Sequence, residues 1–254
     1  MTNFEYDASH FTNANLAQID ARKEIKSMAA SSLEFKDVFY RDLPLFMHSG
    51  ILARCLAIQE CYLHVREIPG LFFDFGTWKG STIIILENLR AIHDPFDTQR
   101  KIIGLDTFSG YKGFQSGESS DKTIQEHSYS LEVNYEKHLQ KLINLHERAN
   151  NRIDPLHQVA KGDAVIELPR ILDREEQSPV ALAFFDLNAF KPTQECLKAI
   201  TPRLTKGSVI GFWQFSRPQI AGERRAYESC RDLLPAHKLQ KSRHYPSLIY
   251  MQVL

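Results

Sequence analysis

The stretch Leu71-Phe-Phe-Asp-Phe-Gly-Thr-Trp-Lys-Gly80 decides the fold. An apolar strand ends near Asp74, glycines follow at 76 and 80, and an apolar helical pattern begins. Gly76 allows a sharp turn and a close backbone approach to a ligand, and Gly80 opens the helix. About 25 residues on, Lys101-Ile-Ile-Gly-Leu-Asp106 is a second apolar strand closing on an acid, the position from which a carboxylate accepts from a ribose diol. The glycine spacing is G-x-x-x-G, not the G-x-G-x-x-G of a dinucleotide site or the G-x-x-x-x-G-K-[ST] of a phosphate loop. It points to a cofactor with a ribose and no phosphates, with S-adenosylmethionine as the leading candidate.

The 254 residues suffice for one α/β core. Lysine plus arginine equals aspartate plus glutamate at 31 each, so no basic surplus argues for nucleic acid or an anionic membrane. No apolar run approaches the roughly 18 residues of a membrane span, and the N-terminus has neither the cationic start nor the apolar stretch of a signal peptide. Cys55, Cys61, Cys196 and Cys230 form no C-x-x-C pair, so buried free thiols and a reducing cytoplasm are expected.

Helical patterns run from about 14 to 31 and from 48 to 68, where Pro69-Gly70 ends them. Residues 1–68 are therefore expected to be an N-terminal helical extension of the same domain that 69–254 completes. Strand-like runs follow at 71–75, 101–106, 156–160, 180–186 and 208–213, with helices starting near Lys79, Leu131, Ala164, Pro192 and Gly222. Runs as apolar as Val180-Ala-Leu-Ala-Phe-Phe185 suit strands buried on both faces. The alternation predicts a parallel sheet with right-handed crossovers. The runs 237–243 and 248–254 are too close for a crossover helix and predict an antiparallel hairpin. Five parallel strands followed by such a hairpin closely resemble the sheet of the Rossmann-like class I methyltransferases, and the resemblance implies an α/β fold with a seven-stranded, mostly parallel sheet in the order 3-2-1-4-5-7-6. Between Thr107 and Ser130 lies a long Gly/Ser-rich segment leaving the second strand. It reads as a lid, with Tyr111, Phe114 and Tyr129 as apolar covers. After the third strand, Asp163 either accepts from an adenine amine or caps the helix beginning at Ala164.

Phe73-Asp-Phe-Gly-Thr-Trp-Lys-Gly80, Gly104-Leu-Asp-Thr-Phe-Ser-Gly110, Lys161-Gly-Asp163 and Phe185-Asp-Leu-Asn-Ala-Phe-Lys-Pro-Thr193 resemble, in this order, the macrocin O-methyltransferase family and its deoxysugar O-methyltransferase relatives. The resemblance runs from about 50 to 215. It implies transfer of the S-adenosylmethionine methyl to a sugar hydroxyl, a divalent metal (usually magnesium), and a homo-oligomer. Carried over by motif, the cofactor would be held by Asp74, Gly76, Thr77, Gly80, Asp106, Thr107, Phe108, Asp163, Ala164 and Asp186. The chain departs from the family at the metal: where Asp-x-Asp-x-Tyr is usual it has Asp186, Asn188 and Phe190, and Trp213-Gln214 stand where an acidic pair should follow the fifth strand. One carboxylate, two amides and an indole are a poor set for a hard cation, so no metal ligand is assigned. The alternative is a weak magnesium site on Asp186, Asn188 and substrate oxygens.

A sugar hydroxyl needs a base if no metal acidifies it. Asp186, at the end of the fourth strand, is the first choice and His127 the second, with a solvated loop histidine as the plainer reading of His127. The altered site also suits an amine acceptor, or a degenerate protein that binds the cofactor in support of a catalytic partner. The expected acceptor is a small molecule, a sugar or glycosylated natural product.

Overall fold

Val180–Phe185 and Leu71–Phe75 are buried at every position, and they lie side by side at the centre of a seven-stranded sheet. The computed structural model describes residues 20–21, 23–25, 27–28, 43–111, 128–152 and 154–254. Its strands are β1 (Leu71–Phe75), β2 (Ile102–Asp106), β3 (Gln158–Lys161), β4 (Val180–Phe185), β5 (Leu204–Phe212), β6 (His237–Lys241) and β7 (Ile249–Val253). Their spatial order is β3-β2-β1-β4-β5-β7-β6. β1 to β5 pair in parallel, and β7 is antiparallel to both β5 and β6. The helices are α1 (Ser49–Val65), α2 (Ser81–His93), α3 (Tyr135–Ala149), α4 (Ala164–Arg174), α5 (Phe190–Ile200) and α6 (Gly222–Cys230). This is the class I methyltransferase sheet expected from the sequence.

The chain divides into two compact units, 1–55 and 56–254. In the first, the described positions between 20 and 28 are helical, and a 3₁₀ turn spans Leu43–Phe46. Most of the expected helix over 14–31 lies outside the described residues. In the second, the strand pleat sends alternate residues to two cores. Phe73 and Phe75 join α4, α5 and α6 on one face, while Phe72 joins the end of α1, α2 and α3 on the other. Among the described residues no helix is long and apolar enough to cross a membrane. Cys61, Cys196 and Cys230 are buried free thiols and Cys55 is half-buried.

Several boundaries differ from the sequence pattern, and three of them have a clear local reason. β5 begins at Leu204 rather than 208: Gly207 takes φ +90 and the register slips between Val180 and Leu182, so a bulge hides the strand behind polar Thr205 and Lys206. α5 begins at Phe190, upstream of Pro192, because a proline in the first turn removes only an N–H with no intrahelical partner. α3 begins at Tyr135 because Asn134 adopts a left-handed conformation (φ 68) that keeps 131–134 out of the helix.

At the amino edge of the sheet a buried ionic network clamps α2 and α3 to the strands. Arg90 donates to both oxygens of Glu87 at 2.8 Å, and His157 Nε2 lies 2.8 Å from Glu87. The Ile102 N–H donates to His157 Nδ1, so the ring carries its proton on Nε2 and donates it to Glu87. Glu147 accepts from the N–H groups of Leu156 and His157. Burial alone would raise the Glu87 carboxyl, but hydrogen bonds from Arg90 and His157 outweigh it and hold the group down to about 2, below the ordinary 4.5. A depressed carboxyl contributes its full stability above the unfolded value and loses it as pH falls toward the folded one. Glu87→Gln, which leaves a buried guanidinium unpaired, should therefore cost about 3–5 kcal/mol at pH 7 in urea denaturation. The gap to the parent protein should narrow as pH falls from about 4.5 toward 2. A gap independent of pH would mean that the Glu87 charge is not what the network uses.

Candidate active site at the carboxyl edge of the sheet

The carboxyl edge is built on a row of phenylalanines. Phe75, Phe185 and Phe212 end β1, β4 and β5 in register, with ring centroids 4.6 and 5.4 Å apart and planes within 17°. Such contacts are worth about 0.5–1.5 kcal/mol each beyond area burial. They fix the height at which the three following turns leave the sheet.

Gly76 turns immediately above this row. Its φ is +83, and a Cβ there would stand 2.5 Å from the Asp186 carbonyl oxygen, so only glycine lets the turn after β1 lie against the chain leaving β4. The Asp186 N–H donates to Phe75 O, and the Gly76 and Thr77 N–H groups donate to Leu105 O. Asp74, 1% exposed, lies under the turn and accepts from Thr77 Oγ1 at 2.6 Å. Gly80 takes φ +85, and a Cβ there would strike Leu139 of α3 at 2.2 Å, so its role is helix packing as well as opening α2.

Asp106 ends β2 with both oxygens engaged by backbone. Oδ2 accepts from the Trp78 N–H at 2.8 Å and Oδ1 from the Phe108 N–H at 2.7 Å. Both donors sit at positive φ, 46 and 54, so one carboxylate holds two strained turns. Burial raises its carboxyl, the Phe108 and Trp78 amides lower it, and the charge of Asp186 raises it again. Each oxygen keeps a second acceptor position, which is what a diol would need. Thr107 Oγ1 donates to Gly110 O within its own turn. Phe108 turns its ring into the core beside Tyr135, leaving only backbone at the edge. Asp163 is exposed and caps α4, accepting from the Val165 N–H at 2.9 Å, while Ala164 is buried against the core.

Asp186 stands at the centre of the remaining cluster. Gln214 Nε2 donates to its Oδ1 at 3.4 Å. Asn188, 5% exposed with φ 62, donates from Nδ2 to the Tyr111 hydroxyl. Burial, then the charge of Asp186, pushes the Tyr111 phenol well above its ordinary range, so it stays protonated. Tyr111 and Tyr129 pack edge to face, as do Tyr129 and Trp78, forming an aromatic row along the site. Tyr111 and Tyr129 also flank a short stem in which Ser109 bridges Ser130 and the Tyr111 N–H donates to Ser128 O. Of the other residues expected in this segment, Phe114 and His127 lie outside the described residues.

Trp213 is a core aromatic, as its place after an apolar strand suggests: it is 0% exposed, stacked on Phe184 and edge-on to Tyr245. One feature escaped sequence reasoning. Glu223, 0% exposed in the first turn of α6, accepts the Gln214 N–H at 2.8 Å and the Asn188 N–H at 3.4 Å, tying the β4 and β5 turns together. An acid in a first helical turn reads as a dipole partner, and nothing in its neighbours signals that it points inward. Both Glu223 oxygens face backbone donors, Asn188 and Gln214 are neutral, and Asp186 remains. Among the described residues no group of three His, Cys, Asp or Glu side chains converges to hold a metal. That donor set does not fit magnesium, which needs several anionic oxygens.

The sheet order and the edge geometry define a class I methyltransferase fold. Two structures of CalS11 are similar to it. The chain matches a crystal structure of this calicheamicin methyltransferase with TM-score 0.88 and 24% identity over 97% of this chain and 96% of that one. It matches an apo structure of CalS11, named there as a TDP-rhamnose 3'-O-methyltransferase of calicheamicin biosynthesis, with TM-score 0.80 and 24% identity over 97% and 98%. The O-methyltransferase NovP matches with TM-score 0.56 and 15% identity over 79% of each chain. No protein-family model and no curated protein matches the sequence.

Asp106→Ala should cost about 2–4 kcal/mol in chemical denaturation, because two buried N–H groups lose a charged acceptor. Asp106→Asn, which keeps one acceptor oxygen, should fall between the variant and the parent. Unchanged stability in Asp106→Ala would mean that the two turns hold themselves.

Proposed function

We propose that the chain is an S-adenosylmethionine-dependent O-methyltransferase that methylates a hydroxyl of a sugar or polyol acceptor, with Asp186 as the general base and without a metal. The observation that carries this reading is the contact of the Gly76 turn with Asp186, which leaves no room for a side chain between them. The turn that would cradle the cofactor and the carboxylate that would take the proton are thus neighbours. When bound, the cofactor supplies a methyl group on a sulfonium.

Asp106 would hold the ribose hydroxyls through its two remaining acceptor positions. Trp78 Nε1–H, a buried donor with no partner among the described residues, would be a further hydrogen-bond donor to the cofactor. Asp163 and Gly162 would border the adenine, and Asp74 and Thr77 would stiffen the turn beneath the amino-acid end. The Tyr111–Tyr129–Trp78 row would shield the reacting atoms from water and offer C–H-facing ring surface to a sugar. The acceptor oxygen would form its bond to the methyl carbon as the carbon–sulfur bond breaks. Its proton would pass to Asp186, and sulfur would leave as a neutral thioether. In-line alignment of oxygen, carbon and sulfur is the main contribution the protein makes.

CalS11 acts on TDP-rhamnose, which makes nucleotide-linked and free deoxysugars the first acceptors to test. A secondary-metabolic role in a reducing cytoplasm, and assembly as a homo-oligomer, complete the reading. Amine acceptors and cofactor binding without turnover are the rival outcomes of the same assay.

Asp186→Asn keeps the shape but loses the charge, so turnover should fall by about 10²–10⁴-fold while S-adenosylmethionine affinity in calorimetry holds. Normal turnover in that variant would move the base elsewhere, with His127 next. Asp106→Ala should weaken cofactor binding by roughly tenfold or more. EDTA should leave activity intact; loss of turnover restored by magnesium would overturn the metal-free mechanism.

A further inference from the structure

Two buried amide oxygens beside Asp186 have no hydrogen-bond partner among the described residues: Gln214 Oε1 and Asn188 Oδ1. Each amide has its donor end engaged by protein, Gln214 Nε2 on Asp186 and Asn188 Nδ2 on Tyr111. Turning the Gln214 amide over would set its oxygen against the Asp186 carboxylate, so its orientation is fixed by charge. The two backbones are held together by Glu223, which accepts both N–H groups. Native proteins satisfy the great majority of buried polar groups, and an acceptor left orphaned next to a reactive carboxylate marks a place where a ligand donor belongs.

We infer that Gln214 Oε1 and Asn188 Oδ1 read the acceptor, each taking a hydrogen bond from a hydroxyl adjacent to the one methylated at Asp186, so that the substrate class is a polyol with consecutive hydroxyls rather than an isolated alcohol. This rests on the methyl-transfer reading above. A lone alcohol satisfies Asp186 and leaves both amides orphaned. A ring carrying neighbouring hydroxyls satisfies all three acceptors, and a site built to bind a substrate hydroxyl discriminates strongly against the analogue that lacks it. Asn188 is held at φ 62, a conformation asparagine tolerates far better than apolar residues do, so Gln214, on ordinary backbone, is the residue to change.

The test is a cycle between protein and substrate. Wild type and Gln214→Met are compared on whichever of TDP-rhamnose, L-rhamnose or myo-inositol the wild type methylates fastest, and on its analogue lacking one flanking hydroxyl. Removing the hydroxyl should lower kcat/KM by about tenfold or more in wild type and by less than about threefold in Gln214→Met. Cofactor affinity should be unchanged. Equal hydroxyl sensitivity in both proteins would overturn the inference and make Gln214 a structural residue. Failure of the underlying function reading is distinguishable, because wild type would then not bind S-adenosylmethionine in calorimetry.

Discussion

The closeness of two backbones, at Gly76 and Asp186, is the constraint on which the rest of the site depends. β1 and β4 are adjacent parallel strands, so their carboxyl ends leave the sheet together, and the phenylalanine row sets them at one height. A Cβ at residue 76 would lie 2.5 Å from the Asp186 carbonyl oxygen. Every functional distance at this edge follows from that contact: Asp186 to the Gly76 turn, Gln214 to Asp186, and Tyr111 to the cluster around both. A displacement of one strand would separate the groups that the chemistry requires side by side.

Carboxylates at this edge divide their labour by what they face. Asp106 and Glu223 each accept from backbone amides of two different turns, so they act first as struts. Asp74 braces a single turn through Thr77. Asp186 contacts the side-chain amide of Gln214, whose oxygen has no hydrogen-bond partner among the described residues.

Both ends of the sheet bury polar groups. At the amino edge, Glu87, Arg90 and His157 pair with one another and with the neighbouring backbone, which holds α2 and α3 against the strands, while Glu147 Oε2 and Arg152 Nε have no hydrogen-bond partner among the described residues. At the carboxyl edge the same is true of Trp78 Nε1, Asn188 Oδ1 and Gln214 Oε1, and what sets these apart is that two of them stand beside Asp186.

Local pattern alone carried the strands, their parallel direction and the hairpin, while the strand order came from the resemblance to the class I methyltransferase sheet. Period and apolarity are properties of short segments, and chain connectivity with right-handed crossovers then leaves few arrangements. Gly76, Asp106 and Asp186 were legible because each ends a strand, and strand ends of a parallel sheet share one edge whatever the details. Position in the chain did not reveal which way a side chain points once past the strand. Trp213 turns into the core and Gln214 toward Asp186, though they are consecutive. Glu223 is a buried strut because α6 packs against the turns after β4 and β5, a contact between segments distant in sequence that no local pattern announces. Phe108 and Gly80 were read as site residues, yet their packing is against α3, at Tyr135 and Leu139. Sequence by itself determined which residues reach the edge of the sheet; only tertiary packing decided which of them have hydrogen-bonding capacity left over, since that depends on neighbours brought together from five separate turns and helices.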